Sequence, residues 1–120
     1  MLKKQNRLKS NSAFRATYNN NFNIIDKNIV LNIGHKKNDI NCPTRVGFVV
    51  SKKIHKRAVI RNKIKRIMRE NVRLMLKEGG FPNEYQSMVF VARSQIIDKN
   101  YNEIHNIISN LLIKLANKNI

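Results

Sequence analysis

"RVGFVVSKKIHKRAVIRNKIKRIMRENVRL", residues 45–74, changes its hydrophobic period part-way along. Up to residue 51 it alternates, with Val46, Phe48 and Val50 on one side and Arg45, Gly47, Val49 and Ser51 on the other, as a strand does. From about residue 57 to 77 the period becomes helical. At about 100° per residue, Ile60, Ile64, Ile67, Met68, Leu74 and Met75 gather on one arc. Arg61, Asn62, Lys65, Arg66, Arg69, Arg73 and Lys77 spread over the rest, and glycines 79 and 80 end the helix. A strand running into a long, cationic, amphipathic helix is the pivot of the fold.

The flanking segments supply the other elements. Ser10 or Asn11 caps a short helix to about residue 19, with Phe14 and Tyr18 four apart on one face. Residues 28–35, "NIVLNIGH", alternate as a strand, and "FNIIDKN" either extends that strand or forms a separate one. "SMVFVAR", residues 87–93, is a further strand. Residues 101–115 form a last helix with an apolar stripe of Ile104, Ile107, Ile108, Leu111, Leu112 and Leu115. The order is α-β-β-β-α-β-α. With 120 residues, 42% of them hydrophobic, and no repeat or flexible linker, the chain reads as one α+β domain over residues 1–120.

Charge narrows the function. Lys and Arg number 24 against 7 Asp and Glu, a formal net charge of +17. Such an imbalance repels itself and calls for an anionic partner. Its placement is more telling than its size. Residues 51–71 hold ten Lys, Arg and His side chains and a single acid, Glu70. Arg57, Arg61, Lys65, Arg69 and Arg73 form a row at four-residue spacing, where surface helices normally alternate sign. A merely solvated face does not explain a row that disfavours its own helix. A membrane-surface helix would carry bulky aromatics and leucines, whereas this apolar arc is mainly Ile and Met. Nucleic acid fits best. No helix-turn-helix or zinc pattern is present, and Phe14 and Tyr18 either pack into the core or offer stacking surface beside Lys3, Lys4, Arg7 and Lys9, which makes a single-stranded RNA groove the working hypothesis.

Cys42 is the sole cysteine, so neither an internal disulfide nor a Cys-rich zinc site is available. The first fourteen residues lack the apolar run of a secretory signal, and the apolar C-terminal run is interrupted by Lys114. The expectation is a cytoplasmic protein with no membrane association. The carboxylates Asp26, Asp39, Glu70, Glu78, Glu84, Asp98 and Glu103 are scattered, with no two-metal pattern and no nucleophile beside a base. A self-sufficient nuclease is disfavoured. A non-enzymatic RNA chaperone or ribosome-associated protein shares the charge and the aromatic pair, and stays open on composition alone.

The 45–74 stretch resembles the protein subunit of bacterial ribonuclease P. Lys52-Lys53 close its strand, Arg61-Asn62-Lys63 occupy the family's Arg-Asn-Arg-type signature, and Ile64-Lys65-Arg66 and Arg69-Glu70 follow. "LKKQNRLKSNSAF" resembles the family's opening, and "MVFVAR" with "YNEIHNIISNLLIKL" its last strand and helix. Lys63 departs from the pattern, keeping the charge but losing the bidentate fork of Arg. "KKIHKRAVIRN" looks like the longer, more basic form of the family loop, with His55 facing solvent or RNA.

The resemblance implies an α/β sandwich with a left-handed β-α-β crossover through the basic helix, a rare handedness. It also implies function. Arg61, Asn62, Lys63, Lys65, Arg66 and Arg69 would bind the catalytic RNA subunit. Phe14, Tyr18, Lys52, Lys53, Arg57 and Arg93 would form a cleft for the single-stranded 5′ leader of precursor tRNA. The RNA subunit would cleave the phosphodiester with Mg²⁺ held mainly by RNA, the protein being an accessory subunit with no catalytic residue and no obligate protein partner.

Overall fold

The computed structural model describes residues 2–118. Helix α1 (Asn11–Asn19) is capped by Ser10, whose Oγ accepts from the Ala13 N–H at 3.1 Å. It ends at Asn20 and Asn21, the latter with φ 55°, a left-handed conformation that Asn tolerates better than most residues. Strands β1 (Phe22–Ile25) and β2 (Ile29–Ile33) follow as a hairpin. The segment "FNIIDKN" is thus a separate strand plus its turn. Asp26 Oδ2 accepts from the backbone and side-chain N–H groups of Asn28 in that turn, an Asx-type closure.

Strand β3 (Arg45–Val49), helix α2 (Ala58–Glu78), strand β4 (Ser87–Ala92) and helix α3 (Tyr101–Lys118) complete the order. The sheet order is β1-β2-β4-β3. β1 and β2 are antiparallel, as are β2 and β4, while β3 and β4 run parallel and are joined through α2. Beyond β3 the chain's start adds a partial fifth rung, since Leu8 N–H donates to Val46 O at 3.0 Å.

One sheet face is covered except at its edge strands, where Phe22 and Phe48 stay partly exposed. Ile24, Leu31, Ile33, Val46, Met88 and Phe90 meet Ile64, Met68 and Val72 of α2 and Ile104, Ile108 and Leu111 of α3, all buried. The other face carries α1, which crosses near the β4 start: Thr17 Oγ1 and Ser87 Oγ lie 2.5 Å apart, and Asn20 Nδ2 donates to Ile33 O at 3.0 Å. The result is the expected sandwich of helices about one sheet.

Two expectations for α2 are corrected. Leu74 is half-buried and outside the core, while Val72 and Asn71 are fully buried. Val72 lies one turn beyond Met68, so the helical period carries it onto the sheet, and Leu74, about 200° further round, points away. Asn71 sits between the helices: its Nδ2 donates to Ile67 O at 3.0 Å, and its Oδ1 lies 2.9 Å from His105 Nδ1. The second correction concerns the row of like charges. Its last member, Arg73, forks onto Glu70, donating from Nε at 3.1 Å to both carboxylate oxygens and from Nη2 at 2.5 Å to Oε1. That hydrogen bonding holds the Glu70 carboxyl below its ordinary pKa. The unpaired part of the row therefore stops at Arg69.

Candidate RNA interface

The inner arc of α2 is consumed by the core, which leaves its cations outward. Asn62, Lys63 and Arg66 are exposed, and Arg61, Lys65 and Arg69 are half-buried. No acid occupies the first turn of α2, and its N-cap, Arg57, provides no side-chain cap. The helix start therefore combines unneutralised cations with the positive end of the helix dipole. This is a surface suited to phosphate.

The two residue sets read from the sequence are not wholly separate. Phe14 of α1 shares a recess of about 360 Å³ with Arg7, Lys9, Phe48, Lys65 and Arg69. The recess lies at the β3 edge, where the N-terminal segment passes. It depends on Gly47: a Cβ there would stand 2.5 Å from the Phe14 ring and 3.3 Å from Leu8. A glycine inside a strand marks such a close approach. Thus Phe14, assigned to the leader cleft, stands beside Lys65 and Arg69, assigned to the RNA subunit.

Tyr18, one turn further along α1, is 38% exposed. Partial burial pushes its phenol above the ordinary pKa. Lys52 and Lys53 are exposed in the turn after β3, and Arg57 is exposed at the start of α2. Arg93 lies just beyond β4 and donates from Nη1 to Asp26 O at 3.2 Å. Because β3 and β4 are parallel, Lys53 and Arg93 stand at the same end of the sheet, opposite the end that α1 crosses.

Between those two borders lies a feature absent from the sequence reading. Ile25 pairs with Val30, Val30 with Val91, and Val91 with Val49, which makes one aliphatic row across all four strands. It is on the α1 side of the sheet and only partly covered, Ile25 being 60% exposed. Apolar residues on both faces of β3 and β4 were the available signal. The row itself follows only from strand order and register.

His55 lies in the loop, as expected, with one ring nitrogen engaged by the backbone. It is half-buried, and its Nδ1 accepts from the Arg57 N–H at 3.1 Å. The ring is held as part of the loop. Among the described residues no three His, Cys, Asp or Glu side chains come together as a metal site, and no helix is long and apolar enough to cross a membrane.

A family model described as Ribonuclease P matches residues 2–116. The chain belongs to the ribonuclease P protein family. A ribonuclease P protein component of Clostridium botulinum is 36% identical over 111 residues, covering 92% of this chain and 95% of its own. One of Alkaliphilus oremlandii is 36% identical over 117 residues, covering 95% and 94%. The solved RNase P protein of Staphylococcus aureus matches with a TM-score of 0.75 at 28% identity, covering 94% of this chain and 96% of that one. That of Thermotoga maritima matches with a TM-score of 0.75 at 23% identity, covering 90% and 96%, a likeness of fold. Membership of the ribonuclease P protein family implies RNA binding and a part in tRNA processing.

Proposed function

We propose that this chain is the accessory subunit of a ribonucleoprotein endoribonuclease, acting in the cytoplasm as a single RNA-binding domain. It binds the catalytic RNA subunit of ribonuclease P through Arg61, Asn62, Lys63, Lys65, Arg66 and Arg69. It holds the 5′ leader of precursor tRNA across the open sheet face, between Phe14 and Tyr18 on one border and Lys52, Lys53 and Arg93 on the other, with Arg57 beside them. The observation that carries this reading is the outward cationic face of α2 meeting Phe14 in one recess, because it sets a phosphate-binding helix beside a surface able to stack an unpaired base.

The division of labour follows from the chemistry present. The aliphatic row offers no hydrogen-bond donor or acceptor, so contact with it is tolerant of base sequence. The cations screen repulsion between two RNAs, which lowers the metal concentration the complex needs. Mg²⁺, which the family implies, is assigned to the RNA components. The described carboxylates form no cluster fit to hold it, and no step here runs through a protein-bound metal.

The deciding measurement is precursor tRNA cleavage at low Mg²⁺ with and without a bacterial ribonuclease P RNA. Cleavage that requires both protein and RNA supports the proposal. Cleavage by the protein alone would point to a nuclease, and no effect in either case to an RNA chaperone.

A further inference from the structure

The loop between β3 and α2, residues 51–57, carries Lys52, Lys53, His55, Lys56 and Arg57 and no acid. Cations so close repel one another and favour a splayed loop, yet this one is compact. Ile54 N–H donates to Ser51 O at 3.0 Å, and the Ile54 side chain packs on the core. The Arg57 N–H is taken by His55 Nδ1 at 3.1 Å. Arg61 completes the closure from the first turns of α2. Its Nη1 donates to His55 O at 3.0 Å and to Lys56 O at 2.7 Å.

An arginine near a helix start opposes the dipole, so its presence calls for a compensating interaction, and these two carbonyls supply one. A guanidinium has five N–H donors in a fixed fork. Both hydrogens of Nη1 are committed to the loop, which leaves the Nε and Nη2 edge for an oxyanion. A lysine ammonium lacks the planar fork that divides its donors between loop and phosphate.

We propose that Arg61 is a positioning residue whose guanidinium clasps the 51–57 loop and sets Lys52, Lys53, Lys56 and Arg57 as one preorganised cationic cluster for RNA. This rests on the reading of α2 as the RNA face. Preorganisation matters because ordering a rotamer-rich cationic loop at the moment of binding would subtract from affinity.

The test compares the full chain with Arg61→Lys, Arg61→Ala and Arg66→Ala variants, the last removing one exposed cation that has no part in the clasp. Amide hydrogen exchange on the free proteins is the first readout. Both Arg61 variants should speed exchange of the Arg57 amide by about tenfold or more, as local opening becomes easier, and Arg66→Ala should not. The salt dependence of binding to ribonuclease P RNA is the second. Arg66→Ala should lower the slope by about 0.9, one phosphate's worth. Arg61→Ala should lower it similarly and should also lower the slope for precursor tRNA leader binding by about 2 or more, because the loop cations that border the leader lose their placement together, and Arg61→Lys should fail to restore the latter. Unchanged exchange, or full rescue by Arg61→Lys, would overturn the clasp. If the unmodified chain shows no salt-dependent RNA binding, the RNA reading of α2 fails instead, and exchange still decides whether Arg61 holds the loop.

Discussion

Helices α2 and α3 pack side by side on the same sheet face, yet they begin in opposite ways. At the start of α3, Asn100 Oδ1 accepts from the Glu103 N–H at 2.9 Å, and Glu103 Oε1 accepts from the Asn100 N–H at 3.1 Å. This capping box satisfies orphan donors and places an acid at the positive end of the dipole. α2 has no side-chain cap and no acid in its first turn, and it puts Arg61 where a carboxylate would be favoured. The outward faces differ likewise. α3 shows Asn102, Glu103, Asn106, Asn110 and Lys114 in mixed polarity, whereas the exposed positions of α2 include Asn62, Lys63 and Arg66. Both helices bury an aliphatic stripe, so packing does not account for the contrast. α3 is finished by its own residues, whereas α2 starts uncapped and without an acid, as the proposed RNA face requires.

The largest effects should show what the helices share. Met68→Ala in α2 and Leu111→Ala in α3 each remove a fully buried side chain, and each should cost about 2–5 kcal/mol in denaturant unfolding. If one proved nearly neutral, the equivalence of the two packing stripes would fail. Next comes their link. Asn71→Ala leaves the exposed His105 ring without its partner on α2 and should lower stability by about 0.5–1.5 kcal/mol. The salt slope of RNA binding should not move, and a changed slope would mean that Asn71 also shapes the RNA face.

A smaller effect should separate the helices. Arg66→Ala should weaken RNA binding and reduce its salt slope by about 0.9, while Lys114→Ala on α3 should leave both unchanged. Equal losses would erase the distinction and indicate a general response to net charge. The smallest effect concerns Glu70. Its carboxyl titrates below its ordinary value because Arg73 hydrogen-bonds to it. A depressed folded pKa adds stability above the unfolded carboxylate pKa and loses it as pH falls through the folded value. Glu70→Gln should therefore lower the melting temperature slightly near neutral pH, and the difference should vanish on acidification. A difference that grows in acid would contradict the pairing.

Much of this was legible in residue order. The switch of period after Ser51 locates β3 and α2, the stripe from Ile104 to Leu115 locates α3, and the four-residue spacing from Arg57 to Arg69 marks the face that seeks an anion. These are short-range properties, set by backbone geometry and by chemistry within a few turns. Other features were hidden, one by a local rotamer choice and others because they join residues far apart in the chain. Glu70 silences Arg73 through a rotamer choice that spacing alone leaves open. Asn71 looks like a surface amide until α3 brings His105 against it.

What the sequence by itself determined is the set of elements, the sign and side of the charge, and the family to which the residues around Arg61-Asn62 belong. Only the tertiary structure decided that Phe14 shares a recess with Lys65 and Arg69, that Ile25, Val30, Val91 and Val49 form a single row, and that Arg61 turns back onto its own loop. The physical reason is that periodicity reports which way a side chain faces within its element. Which neighbour it then meets depends on strand order, register and the path of the connections, and these are settled by burying all the elements at once.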